Sequence, residues 1–274
     1  ALALLLSLGL AFLAVPPGGA YPTPSGTYEG WTAEADLGCA NPRHVQIACS
    51  GGWLYAVYDQ GSDVYFRRTD DLEGLTGWSS PVKLDTGAAN TANNAYVDAS
   101  GKYVAVSFSE IIDGRSALVV LCSWDHGKTW PYKHVDKGSS WNNWEAHIDI
   151  AGDRVHAAYV TDYTGRMEVY YKRFDLSLNV QAQSFASDNV APGATQPCVE
   201  ASDATHASVY YVHLSGPPNP VWQAYTSDGS GWSRSERLPT GGGTDFTWPE
   251  CAVFFSGSSR RVLLVADGRN VENN

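Results

Sequence analysis

The chain is predicted to be all-β, a β-propeller of four-stranded antiparallel blades, on three observations. Strand-like segments recur about every fifty residues, and each unit holds four of them in a fixed order. Composition agrees: ten Trp and fifteen Tyr stand against a single Met, and β-branched and aromatic runs alternate with Gly-, Asn- and Asp-rich turns. With 274 residues, 43% of them hydrophobic, the chain has ample material for a core.

The repeat is clearest in its second strand. It reads GGWLYAVYD (51–59), GKYVAVSFS (101–109), GDRVHAAYV (152–160), THASVYYVH (205–213) and SRRVLLVAD (259–267). In the first unit the strands are HVQIACS, WLYAVYD, DVYFRRT and SSPVKLD; in the second, AYVDAS, YVAVSFS, ALVVLCS and YKHVD. The third gives AHIDI, VHAAYV, EVYYKRF and VQAQSF, and the fourth CVEAS, ASVYYVH, VWQAYTS and SRSERL. A fifth unit ends after its second strand. EGWTAEADLG (29–38) matches the fourth-strand segments TGWSSPVKLDTG and SGWSRSERLPTG, so it is predicted to complete the last blade and remove an open sheet edge. The expectation is four complete blades plus partial ones, six blades when the propeller is whole, over residues 21–274.

Residues 1–15 form an apolar run followed by PPGGA, which predicts a secretory signal removed near Ala20; an uncleaved anchor is the other reading. An extracellular or cell-surface protein is expected, with no membrane insertion after signal removal. The net charge of −11 repels phosphate backbones and anionic lipid, so nucleic acid is not an expected partner. Five cysteines permit disulfides, but their pairing is not readable from spacing. The seven histidines have no metal-site spacing and no Gly-rich loop opens a helix, so neither metal nor other cofactor is expected.

SWDHGKTW (123–130) packs Asp, His and Ser into one turn, yet its chemistry reads as scaffold. Asp125 can accept hydrogen bonds from turn amides, Gly127 permits a positive φ, and the Ser123 and Thr129 hydroxyls satisfy other turn groups. Trp130 can pack between layers, and one Asp and one Ser are too few oxygens for calcium. Ser123, Asp125, Gly127, Thr129 and Trp130 fit the S-x-D-x-G-x-T-W pattern of the Asp box, or bacterial neuraminidase repeat. TSDGSGW (226–232), TDDLEGLTGW (69–78) and RFDLSLNV (173–180) are shortened, lengthened and decayed relatives of it. The chain therefore resembles the sialidase-type β-propellers.

The motif also orients the blade. It lies between third and fourth strands, on the same face as the turn between first and second strands. Function is expected on the opposite face, where first strands begin and second-to-third turns lie. Those segments include NPRH, NNAY, NNWEAH, TQPC and TWPE, and YDQGSD, SEIIDGR, TDYTGR, HLSGPPNP and ADGRN. Their amides, carboxylates, arginines and aromatics suit sugar recognition.

The resemblance implies a retaining exo-glycosidase for sialic-acid-like sugars, with arginines on the substrate carboxylate, an Asp general acid and a Tyr nucleophile paired with Glu. Carried over, Arg43 stands for the first arginine, although Arg-Ile-Pro in the family is Arg43, His44 and Val45 here. Asp59 or Asp63 is the general-acid candidate. Glu145, or else Glu200 or Glu250, is the partner of a Tyr expected from a last blade beyond this chain. Asn94, Trp144, His147, Arg166 and Glu250 are candidate substrate contacts, with Arg115 and Arg269 as further cations. A propeller that binds a glycan or glycoprotein through the same mouth without cleaving it is the other function.

Overall fold

The structure, a computed structural model, describes residues 39, 42–72, 77–86, 91–188, 193–215, 219–238, 244–256 and 259–270, with side chains to Arg234 and at Pro249. The candidate signal and the 29–38 segment lie outside the described residues. Every regular element among the described residues is a β-strand. The first blade is β1 (Arg43–Ser50), β2 (Trp53–Gln60), β3 (Asp63–Thr69) and β4 (Val82–Lys83). The second is β5 (Ala92–Ser100), β6 (Tyr103–Ile112), β7 (Arg115–Ser123) and β8 (Tyr132–Asp136). The third is β9 (Asn143–Ala151), β10 (Arg154–Thr161), β11 (Glu168–Asp175) and β12 (Val180–Phe185). The fourth is β13 (Ala194–Ala201), β14 (Ala207–His213), β15 (Val221–Thr226) and β16 (Ser233–Leu238), and β17 (Thr244–Ser256) pairs with β18 (Ser259–Asn270).

Each complete sheet runs in chain order with antiparallel neighbours, as short hairpins dictate. First strands pack side by side, β1 on β5, β5 on β9, β9 on β13 and β13 on β17, so they form the inner ring and later strands lie outward. This is the propeller arrangement. Only β4 falls well short of its expected segment: SSPVKLD contributes two paired residues, because Pro81 lacks an N–H. Ser79 and Leu84 still donate backbone hydrogen bonds to Arg68 and Val64, so the segment follows β3 without a full ladder. Among the described residues, no helix is long and apolar enough to cross a membrane.

The core lies between blades. Tyr55, Val57 and Phe66 of the first blade pack with Val97, Val106 and Val119 of the second. Leu118 and Val120 meet Ile148, Val155 and Phe174 across the next interface, and Val169 and Tyr171 meet Val199, Val209 and Tyr211 across the third. Buried area on this scale, at about 25 cal/mol per Å² of apolar surface, is the main force holding adjacent sheets.

The SWDHGKTW turn is closed by its own side chains. Ser123 Oγ donates to Asp125 Oδ1 at 2.8 Å and accepts from Gly127 N at 2.8 Å, while Thr129 donates to Asp125 through N (2.9 Å) and Oγ1 (2.7 Å). Burial alone would raise the Asp125 carboxyl, but these hydrogen bonds outweigh it and hold the pKa at about 2. Thr226–Trp232 builds the same device: Asp228 accepts from Ser230 and Gly231, and Gly229 N donates to Thr226 Oγ1. Trp130 and Trp232 each meet a ring of the preceding blade edge-on, Phe66 and Tyr171, at centroid distances of 5.0 Å. His126 N donates to Lys102 O at 3.0 Å, which sets this turn beside the β5–β6 turn and leaves the opposite face for the mouth.

Candidate functional site: the axial mouth

Every first strand slips register near its start, between Arg43 and Gln46, Asn93 and Tyr96, Trp144 and His147, Thr195 and Cys198, and Thr247 and Glu250. Inside four of these bulges stands a non-glycine residue with positive φ: His44 (46°), Asn94 (55°), Glu145 (52°) and Gln196 (52°). Such a conformation costs roughly 1–2 kcal/mol for a residue with a Cβ. Four repeats at equivalent places mean that the surroundings impose it.

The bulges turn these side chains toward one axial cavity of about 380 Å³, lined by His44, Gln46, Asn94, Tyr96, Glu145, Gln196, Pro197 and Pro249. Carboxylates of one blade tie down the bulge of the next. Asp59, at the end of β2, accepts from His44 Nδ1 at 2.7 Å and from the Asn94 N–H at 2.8 Å. Glu145 Oε2 accepts from Thr195 Oγ1 at 2.8 Å and the Gln196 N–H at 3.0 Å. Burial raises the Asp59 carboxyl, and the Asn94 and His44 hydrogen bonds oppose that shift. With Nδ1 turned to Asp59, the other ring nitrogen of His44 is left for solvent or ligand.

Of the sequence-derived candidates, Asn94 and Glu145 line the cavity. Asp59 lies under His44 and Asn94, 3% exposed. Asp63 is elsewhere: Lys83 Nζ reaches it at 2.7 Å and holds its carboxyl low, which keeps it charged rather than acid. Arg43 is exposed beside the mouth, and Arg166 is exposed in the β10–β11 turn. Trp144 is half-buried, and neither it nor the two arginines lines the cavity. His147 sits one layer deeper, its ring 4.6 Å from that of Tyr96; its Nδ1 accepts from Val199 N at 3.3 Å, and its Nε2 is 3.6 Å from Sγ of the disulfide-bonded Cys198. The Glu250 side chain is outside the described residues.

His44, Gln46, Tyr96 and Gln196, together with Pro197 and Pro249, are the lining residues that sequence reasoning did not place in the site. Their segments were recognised, but a bulge changes which residue faces the axis. The signal available was the recurrence of a polar residue (His44, Asn94, Glu145 and Gln196) at the start of four first strands, at intervals of about fifty. Among the described residues, no group of three or more His, Cys, Asp or Glu is placed to hold a metal ion.

No family model and no curated protein sequence matches the chain. Among solved structures it is similar to a thermostable family-43 glycoside hydrolase, with a TM-score of 0.53 and 14% identity over 84% of this chain and 85% of that one. It is similar to an endo-arabinase from Bacteroides thetaiotaomicron, with a TM-score of 0.51 and 10% identity over 82% and 93% of the two chains. A Hadza microbial sialidase gives a TM-score of 0.51 and 14% identity over 72% of this chain and 46% of its own, so the chain spans under half of that protein. At these identities the likeness is one of fold: the chain has the β-propeller architecture of these glycosidases.

Proposed function

We propose that the protein is a glycan-binding propeller whose axial mouth holds a neutral sugar unit. The observation that carries this reading is the convergence of four strained bulge residues, His44, Asn94, Glu145 and Gln196, on one cavity. Strain kept at equivalent positions of several blades is what a pre-formed polar site requires. The amides of Asn94, Gln46 and Gln196 supply both donors and acceptors, and the Tyr96 ring supplies an apolar face for sugar C–H groups. Glu145 is the one carboxylate among the described lining residues, whereas glycoside hydrolysis ordinarily needs a pair flanking the bond. The apolar run at 1–15 supports an extracellular location.

Hydrolysis of sialic-acid-like sugars is the second reading, favoured by the Asp-box resemblance and by the sialidase among the similar folds. In that reading Arg43, Asp59 and Glu145 act in the roles given above. Arg43 and Arg166 outside the lining weigh toward a neutral ligand. The test is calorimetric titration with neutral oligosaccharides and 3′-sialyllactose, beside a fluorogenic sialoside assay from pH 4 to 8. The expected result is binding of a neutral oligosaccharide, no turnover, and affinity reduced about tenfold in Gln46→Ala through loss of one hydrogen bond. Sialoside turnover abolished by Glu145→Gln would replace the binding reading with the hydrolase.

A further inference from the structure

A second cavity, of about 350 Å³, lies between β8 of the second blade and the outer strands of the third, and it shares no lining residue with the axial one. It reaches the same face of the propeller, because Asn143 begins β9 and Thr161 ends β10. Its floor is polar and internally neutral. Lys172, 7% exposed, places Nζ 2.7 Å from Asp136 Oδ2, and the Tyr159 hydroxyl donates to the same oxygen at 2.5 Å. Burial and the Asp136 charge raise the Tyr159 pKa, so that hydroxyl keeps its proton. Asn143, 1% exposed, donates Nδ2 to the Asp136 carbonyl at 2.9 Å, but its Oδ1 is buried without a hydrogen-bond partner among the described residues.

The walls are aromatic. Trp141 meets Tyr163 edge-on at 4.6 Å, and the Phe185 ring lies 6.4 Å from that of Tyr163. Tyr163 is nevertheless 58% exposed, a large ring left open beside an acceptor that lacks its donor. The Asp136–Lys172 pair consumes its own charge, so nothing in the cavity selects an ion. What fits is a molecule with a flat apolar face for the rings and a hydroxyl for a buried acceptor. A sugar ring has both.

We propose that this lateral cavity is a second saccharide site, in which one neutral sugar unit stacks on Tyr163 and Trp141 and donates a hydroxyl hydrogen bond to Asn143 Oδ1. The site stands on its own residues and does not depend on what the axial mouth binds. To test it, the full chain is labelled with 5-fluorotryptophan, and the Trp141 resonance is assigned by Trp141→Phe. Xylotriose, cellotriose, maltotriose, arabinotriose and N-acetyllactosamine are then titrated to about 10 mM, since one stacked unit with one buried hydrogen bond belongs near millimolar affinity.

At least one saccharide shifts the Trp141 resonance with saturation. Tyr163→Ala weakens that event at least tenfold, Tyr163→Phe stays within about twofold, and Gln46→Ala in the axial mouth leaves it unchanged. A Trp141 resonance that no saccharide moves, or a Tyr163→Ala protein that binds like wild type, overturns the proposal. A Trp141 response without any axial binding would instead refute only the axial reading.

Discussion

Gly127 shows how much of a single residue the sequence reveals. The S-x-D-x-G-x-T-W spacing already implies a turn that satisfies its own polar groups and needs a positive φ, and Gly127 has φ +75°. What the spacing does not disclose is the neighbour: a Cβ on Gly127 would lie 2.4 Å from the Phe66 ring, which belongs to the preceding blade. No local pattern connects position 127 with position 66; the contact exists only once blades stack. Gly127→Ala therefore combines left-handed strain with overpacking and is expected to destabilise by about 3 kcal/mol. Gly165→Ala is the control, with φ +81° and nothing within 4 Å of the added Cβ, so it carries the strain alone, roughly 1–2 kcal/mol. Chemical denaturation of the two variants measures the difference, and equal losses would remove Phe66 from the account.

At the scale of the element, strand positions were legible and strand facing was not. Hydrophobic alternation locates β1, β5, β9 and β13, but it does not mark where a strand takes in an extra residue. Because side chains alternate with a period of two, one inserted residue exchanges the inward and outward sets at the strand start. The segments read as mouth segments, but which residue of each faces the axis does not follow from them: Asn94 and Glu145 are candidates that line the cavity, Trp144 is one that does not, and His44 and Gln196 line it without having been singled out. The bulge also separates stability from function at these positions. Gln196 holds φ at 52° while its N–H donates to Glu145. Glycine keeps that N–H and accepts the conformation, so Gln196→Gly is expected to keep the bulge and leave the stability of the fold within about 1 kcal/mol, the relieved backbone strain offsetting glycine's entropic cost and the lost side-chain interactions. The same change deletes a lining amide and is expected to weaken axial saccharide binding about tenfold. Urea unfolding and calorimetric titration of the one variant check both halves. A variant destabilised well beyond that would mean that the Gln196 side chain, and not its backbone, holds the bulge.

At the scale of the molecule, the fifty-residue period announced the blades, while the groups that join them along the axis carried no comparable signal. Asp98 Oδ2 accepts from Ile150 N at 2.6 Å, and Asp149 Oδ2 accepts from Ala201 N at 2.5 Å, so each carboxyl on a first strand grips the backbone of the next first strand. Between the first two blades Ser50 Oγ, at the end of β1, accepts from Gly101 N in the β5–β6 turn at 2.8 Å. The Asp98 and Asp149 carboxyls also share a hydrogen bond. Each keeps some solvent contact along the axis, but protein surrounds them densely enough to strip most of their water. Burial first, then the charges of Asp98 and Glu200, lift the Asp149 pKa well above the usual carboxylate value. The folded state thus binds the Asp149 proton more tightly than the unfolded chain. Its stabilising contribution is full below the unfolded value of about 3.9 and is lost as pH rises through the higher folded value. Asparagine retains an oxygen for the Ala201 N–H and supplies a permanent donor to Asp98. Asp149→Asn is therefore expected to match wild type near pH 4 and to be the more stable of the two at pH 8, where wild type has lost the contribution of the bound proton. Thermal unfolding of both proteins across this range decides the matter: a variant weaker than wild type at pH 8 would show that the charged pair, rather than a shared proton, holds the inner ring together.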